Sequence, residues 1–272
     1  MSPLLYSPIA RRADRIQIPA MKPLLFSALL LPFSASAHDP WVQVNVVRQE
    51  AKQPVYADLM LGNHGNNHRD FLLASKIPLA ASTLSLVGAK GAVTDLKPDI
   101  VDAGSEDKEG YWSVKIPSPA GGIQCVAHTY DAVVTYAPKR VVKSAKTYFI
   151  SAAGSEGGVS FSEPLSHALE LIPLDDPTKA TAGTKLKVRV LFKGQPLADT
   201  VVSCIPRGVE LDTGFDPNHE AKTDAKGEVE LPLPEANRYL VVTHRKAPEE
   251  TGEKHSAGTE YAATLTLLAG EK

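Results

Sequence analysis

Short runs of alternating apolar and polar residues recur along this chain. Residues 41–46, 56–61, 82–87 and 111–116 each alternate, and 123–134 is a longer run rich in β-branched and aromatic residues. A strand turns successive side chains to opposite faces, so such alternation predicts half-buried strands. The second half repeats the pattern at 167–174, 185–192, 200–205, 228–233, 238–244 and 261–268. Lys193-Gly194-Gln195-Pro196 and Asp224-Ala225-Lys226-Gly227 read as turns, the second with glycine where a positive φ is wanted. No window of helical length keeps a 3.6-residue period. The expected fold is all-β.

The pattern breaks at Ser151-Ala152-Ala153-Gly154-Ser155-Glu156-Gly157-Gly158, whose small residues read as a flexible linker over 151–160. The expected organisation is an N-terminal β domain over 38–150 and a C-terminal β-sandwich over 161–272. Six or seven strands in the second half match the size of an immunoglobulin-like sandwich. A length of 272 residues also favours two domains.

The front of the chain reads differently. Lys22 precedes an apolar run over 23–33, and Ala35-Ser36-Ala37 is an A-x-A cleavage site. Residues 1–37 are therefore read as a signal peptide with an over-long N-terminus, Met21 being the true start. The run is too short to span a bilayer. The expectation is a periplasmic protein cleaved after Ala37, with His38 as its first mature residue and no direct membrane insertion after processing.

Composition narrows the function classes. With 43% apolar and 22% charged residues the chain is a folded protein. Net charge is 29 − 31 = −2. Removing Arg11, Arg12, Arg15, Lys22 and Asp14 leaves 25 − 30 = −5. A mildly acidic chain has no electrostatic reason to bind nucleic acid or anionic lipid. Cys125 and Cys204, one in each half, read either as a bridge between the halves, which needs Cα atoms within about 7 Å, or as two buried free thiols. The sequence carries no G-x-S-x-G, H-E-x-x-H, phosphate-binding or dinucleotide-binding glycine motif.

Histidines carry the candidate chemistry. His64 and His68 sit in the polar segment Gly62-Asn63-His64-Gly65-Asn66-Asn67-His68, just after a predicted strand. Neutral imidazole is a ligand for nickel, cobalt, copper and zinc. A mature N-terminal His38 would add its α-amine and ring to one ion, with Asp39 or another histidine completing the set. His244 ends an apolar strand and shares a face with Leu240 and Val242. His128 lies within a strand of the first half, while His219 and His255 fall in charged loops and read as solvated. The candidate metal set is His38, His64, His68, His128 and His244, with His38 and His244 expected in ligand range of one ion.

Several segments resemble the DUF4198 family. They are Ala37-His38-Asp39-x-Trp41, Lys143-Ser144-Ala145-Lys146-Thr147-Tyr148-Phe149, Leu169-Glu170-Leu171-Ile172-Pro173-Leu174, Thr223-Asp224-Ala225-Lys226-Gly227 and Arg238-Tyr239-Leu240 through His244. The resemblance implies an exported, two-part β protein related to the periplasmic components and M-type subunits of cobalt/nickel uptake transporters. His38 and His244 match histidines of the family pattern. The family's glycine-histidine element is altered here to Gly62-Asn63-His64, with His68 as an extra. The second half also resembles a transthyretin-like sandwich. The expected function is therefore a metal-binding accessory protein for nickel or cobalt, with a membrane uptake transporter as partner. Copper or zinc suits the same donors. The alternatives are an adhesion or carbohydrate-binding module using Tyr111 and Trp112, and a copper-dependent redox protein using His38.

Overall fold

A computed structural model describes residues 38–50, 53–65, 68–69, 78–104, 110–117, 121–134, 137–151, 158–212 and 214–272. The signal peptide expected over 1–37 lies outside these residues, as do 152–157 of the expected linker. The first half contributes β1 (Asp39–Val44), β2 (Tyr56–Asn63), β3 (His68–Arg69), β4 (Ser82–Val87), β5 (Val93–Asp95), β6 (Val101–Asp102), β7 (Trp112–Lys115), β8 (Gly122–Val134) and β9 (Lys139–Ser151). The second adds β10 (Leu169–Pro173), β11 (Thr184–Phe192), β12 (Gln195–Pro196), β13 (Val201–Pro206), β14 (Glu220–Lys222), β15 (Glu228–Leu233), β16 (Arg238–Ala247) and β17 (Thr259–Leu268). The protein is all-β: among the described residues only short 3-10 turns interrupt the strands.

Three sheets form. β1-β2-β7-β6 is the first, with β3 on β2; β10-β11-β12 is another, with β15 on β11. Between them runs an eight-stranded sheet, β14-β13-β16-β17-β9-β8-β4-β5. Its ladders are antiparallel except where β17 meets β9 in parallel, from Thr259↔Arg140 to Thr266↔Thr147. Strands from both sequence halves thus share one sheet, and Ser36–Lys272 forms one compact unit. The two anticipated cores lie on opposite faces of that sheet rather than in separate bodies. The described end of the expected linker is held as well, since the Val159 N–H donates to the Ile123 carbonyl.

Side-chain alternation along β8 and β9 explains the layering. Val126, Tyr130, Val141, Ala145 and Phe149 pack with Val42, Val44, Leu59 and Val114 of the first sheet. Cys125, Ala127 and Tyr148 point the other way, into a core with Leu169, Val188, Leu231 and Leu265. Turn chemistry follows the sequence at Gly227, whose φ is +73° and whose hypothetical Cβ would lie 2.7 Å from the Val190 carbonyl oxygen. A side chain there would be strained twice over.

The sequence pattern misses β9. Its run Lys139-Arg140-Val141-Val142-Lys143-Ser144-Ala145-Lys146-Thr147 is too polar to alternate: Lys139 and Arg140 pair near the surface with Glu260 and Asp131, and beyond them both faces are covered and the polar groups are partnered inside. Lys146 and Glu170 are each 2% exposed and meet at 2.8 Å. The Glu170 carboxylate also accepts the backbone N–H groups of Leu165 and His167 at 2.8 and 3.2 Å. Removing one partner of such a pair strands a buried charge, whereas the intact pair contributes little against an apolar pair of the same volume.

Two outcomes follow. Lys146→Met should destabilise the fold by about 3–5 kcal/mol in urea unfolding, the usual cost of orphaning a buried carboxylate; a loss under 1 kcal/mol would show that Glu170 is satisfied without the lysine. Cys125 and Cys204 are both free and buried, and burial pushes each thiol up to about 12. Both should react with a thiol reagent only as fast as the protein unfolds, because the thiolate is the reactive form.

Candidate functional site

Three consecutive residues at the start of β1 are tied to the eight-stranded sheet. The Lys143 ammonium donates to the His38 carbonyl at 2.8 Å. The Asp39 carboxylate meets His244 Nε2 at 3.1 and 3.0 Å through its two oxygens. The Thr264 hydroxyl donates to the Pro40 carbonyl at 2.8 Å. The anchors come from β9, β16 and β17, adjacent strands in that sheet.

The seam continues along β1 and β16 in opposite directions. Trp41 and Met60 are buried against Leu240 and Val242. Further on, the Arg238 guanidinium donates to the Val44 carbonyl at 3.3 Å. Alternation places Asp39 and Trp41 on one face of β1, and Leu240, Val242 and His244 on one face of β16. The polar pair closes the exposed end of an apolar contact.

Charge at this end is tightly balanced. Burial opposes ionisation of Asp39, but His244, then Lys143 and His38, outweigh it and hold its carboxyl below the usual value. Burial likewise opposes a proton on His244, yet Asp39 raises its pKa above 6.5. Lys143 Nζ stands 3.7 Å from Asp39 Oδ1. Asp39 is 9% exposed by side chain while His244 is 47% exposed, so the pair is reachable from one side. A carboxylate, an imidazole and the adjoining residue 38 are N and O donors of the kind borderline divalent metals accept.

The other predicted histidines lie elsewhere. His64 is buried at 3% exposure, edge-on to Trp41 with ring centroids 5.5 Å apart. Burial, Arg207 and Arg238 push its pKa down to about 3. Among the described residues neither ring nitrogen has a close hydrogen-bond partner, and the Ile205 backbone only partly opposes the downward shift. His128 is fully buried, its Nδ1 2.7 Å from the Thr83 carbonyl oxygen, and burial pushes it down to about 4. His68 pairs through its backbone with Asn63, and its side chain lies outside the described residues. Among the described residues, no three His, Cys, Asp or Glu side chains converge as a ready-made metal set. His64 and His128 thus stand apart from His38, Asp39 and His244: a neutral histidine sealed among arginines or under a strand serves packing better than ligation.

Other expectations also change. His219 is not simply solvated, because its Nδ1 lies 2.9 Å from the 2%-exposed Asp216. Tyr111 and Trp112 are half-buried and pack against different cores, as successive strand residues must. Lys143, invisible as a candidate in the sequence pattern, is central to the site. Its signal was a lysine inside a run too polar to be recognised as a strand.

Fold and site together define an all-β protein of two fused sandwiches with a polar seam at the first strand. The chain matches DUF4198, a domain of unknown function, over residues 35–247, and it belongs to that family. No curated protein matches it. Similar solved structures include a domain segment of intimin (14% identity, 83% of this chain, 96% of that one, TM-score 0.21). The Yersinia pseudotuberculosis adhesin InvE is 12% identical, covering 83% and 58%, at TM-score 0.21. Salmonella alpha-2-macroglobulin is 12% identical, covering 85% and 15%, at TM-score 0.24.

The Asp39–His244 pair makes its own pH signature. A histidine whose pKa is raised by folding stabilises the protein below its unfolded value and loses that contribution as pH rises through its folded value. Asp39, whose pKa is lowered, contributes above its unfolded value and loses that as pH falls through its folded one. The pair therefore acts in the window between the two folded values. In an NMR titration His244 should titrate above 6.5, and Asp39→Asn should bring it down. An unchanged His244 titration in the variant would remove Asp39 as the cause.

Proposed function

We propose that this protein carries nickel or cobalt as cargo in the periplasm and passes it to a membrane uptake transporter. The observation that carries this reading is the pairing of Asp39 with His244 Nε2 at 3.0 Å, beside residue 38 and open on one side. His38, freed by cleavage after Ala37, would add an α-amine and an imidazole next to that carboxylate and imidazole. A chelate from one anchored residue costs less ordering entropy than two ligands from separate loops. The donors are nitrogen and oxygen, which suit nickel and cobalt better than copper(I), and the chain has only two cysteines and three methionines. The sequence resemblance, which implies a relation to cobalt/nickel transport components, points to the same assignment. His38 and Asp39 bind the cargo, and His244 exchanges a proton for the ion. Among the described residues no helix is long and apolar enough to cross a membrane, so delivery would rest on docking to the transporter.

The test compares protein beginning at His38 with protein carrying one extra serine before it, each titrated calorimetrically with nickel, cobalt, copper and zinc. The processed form should bind nickel or cobalt at least tenfold more tightly, and His244→Ala should weaken it further. Equal and negligible uptake by both forms would sink the proposal.

A further inference from the structure

We propose that Lys143 is a positioning residue: it clamps residue 38 so that the start of the mature chain is already aimed at the Asp39–His244 pair before any ion arrives. The clamp rests on contacts independent of a metal, and its role in ligation rests on the function proposed above.

A chain terminus ordinarily frays unless something ties it down. Here the tie is specific. Lys143 leaves β9 on the face shared with Val141, Ala145 and Phe149, the face that packs on the first sheet. Its side chain is only 17% exposed. Its ammonium takes the His38 carbonyl at 2.8 Å, with Asp39 Oδ1 at 3.7 Å. The Thr264 hydroxyl takes the next free carbonyl, that of Pro40, at 2.8 Å. Proline adds stiffness, because its ring fixes φ and restricts the residue before it. Residue 38 is thus held through its own carbonyl.

The position of Lys143 is otherwise hard to explain at a cation site. A fixed positive charge beside Asp39 repels an incoming divalent ion, so on charge alone its removal would tighten binding. Positioning predicts the reverse. The two roles therefore differ in sign, and one variant separates them.

The experiment uses protein beginning at His38, as wild type, Lys143→Met, Lys143→Arg and Thr264→Val. Without metal, the Asp39 amide should show a rigid order parameter of about 0.85 in wild type and fall below about 0.6 in Lys143→Met. Nickel affinity by calorimetry should drop at least tenfold in Lys143→Met despite the lost repulsion. Lys143→Arg, which keeps the donor and the charge, should retain affinity within about threefold. Thr264→Val should loosen Asp39 without changing any charge, and it supplies the test if Lys143→Met does not fold. An unchanged Asp39 order parameter in the variants overturns the clamp. Nickel binding as tight or tighter in Lys143→Met overturns positioning and leaves Lys143 a repelling charge. If wild type binds no metal while the order parameters behave as expected, the cargo reading fails and the clamp stands.

Discussion

A strand covered on both faces cannot leave a polar group to the solvent, and beyond its partly exposed Lys139 and Arg140 β9 is such a strand. One face packs on the first sheet and the other on the sheet containing β10, while its edges pair with β8 and β17. Lys143 and Lys146, two of its three lysines, nevertheless stay. Lys146 goes to Glu170 on one side, and Lys143 to His38 and Asp39 on the other. Each lysine joins the central sheet to a neighbouring layer. Buried donors and charges must find partners or cost several kcal/mol, so these contacts fix how the layers sit in register, whatever they add to net stability.

That constraint also places the seam. Parallel pairing of β9 with β17 sets Ser144 beside Ala263 and Ala145 beside Thr264. Antiparallel pairing of β17 with β16 then sets His244 across from Ala262. Lys143, Thr264 and His244 therefore stand on three neighbouring strands within a narrow band of the sheet. β1 crosses that band with residues 38, 39 and 40, each held by a side chain from it. The geometry comes from sheet register, so rigid elements rather than loops hold the polar groups.

Much of the architecture was legible in alternation. Several strands of the second half are easy to read because they have one core face and one wetter face, as in Val229, Leu231 and Leu233 of β15. β9 was not legible, because burial on both faces replaced alternation with lysines and hydroxyls whose partners come from distant strands. Missing β9 also hid the joining of the halves, and the small residues near 151–158 then read as a boundary. At the site, the shared face of Leu240, Val242 and His244 was readable from period two. The burial of His64 against Trp41 was not, since a glycine-flanked histidine looks the same whether it ends in water or under an indole. Lys143 was unreadable for the same reason as its strand.

The charge pattern at the seam explains how a cation site and a stable apo fold can coexist under the proposed function. An unoccupied cluster of carboxylate and imidazoles would carry an unbalanced negative charge near an apolar contact. Here the Lys143 ammonium, 3.7 Å from Asp39, offsets the carboxylate charge, and Asp39 in turn favours a proton on His244. A divalent ion entering from the exposed side of His244 would displace whatever protons the imidazole and the α-amine carry, so the local charge rises by less than the ion's two units. The ammonium need not leave, because its principal bond is to a carbonyl and not to the carboxylate. A proton that can be exchanged and a cation that stays put are different devices. The first makes the site responsive to the ion, and the second keeps the end of the chain in place whether or not the ion is there.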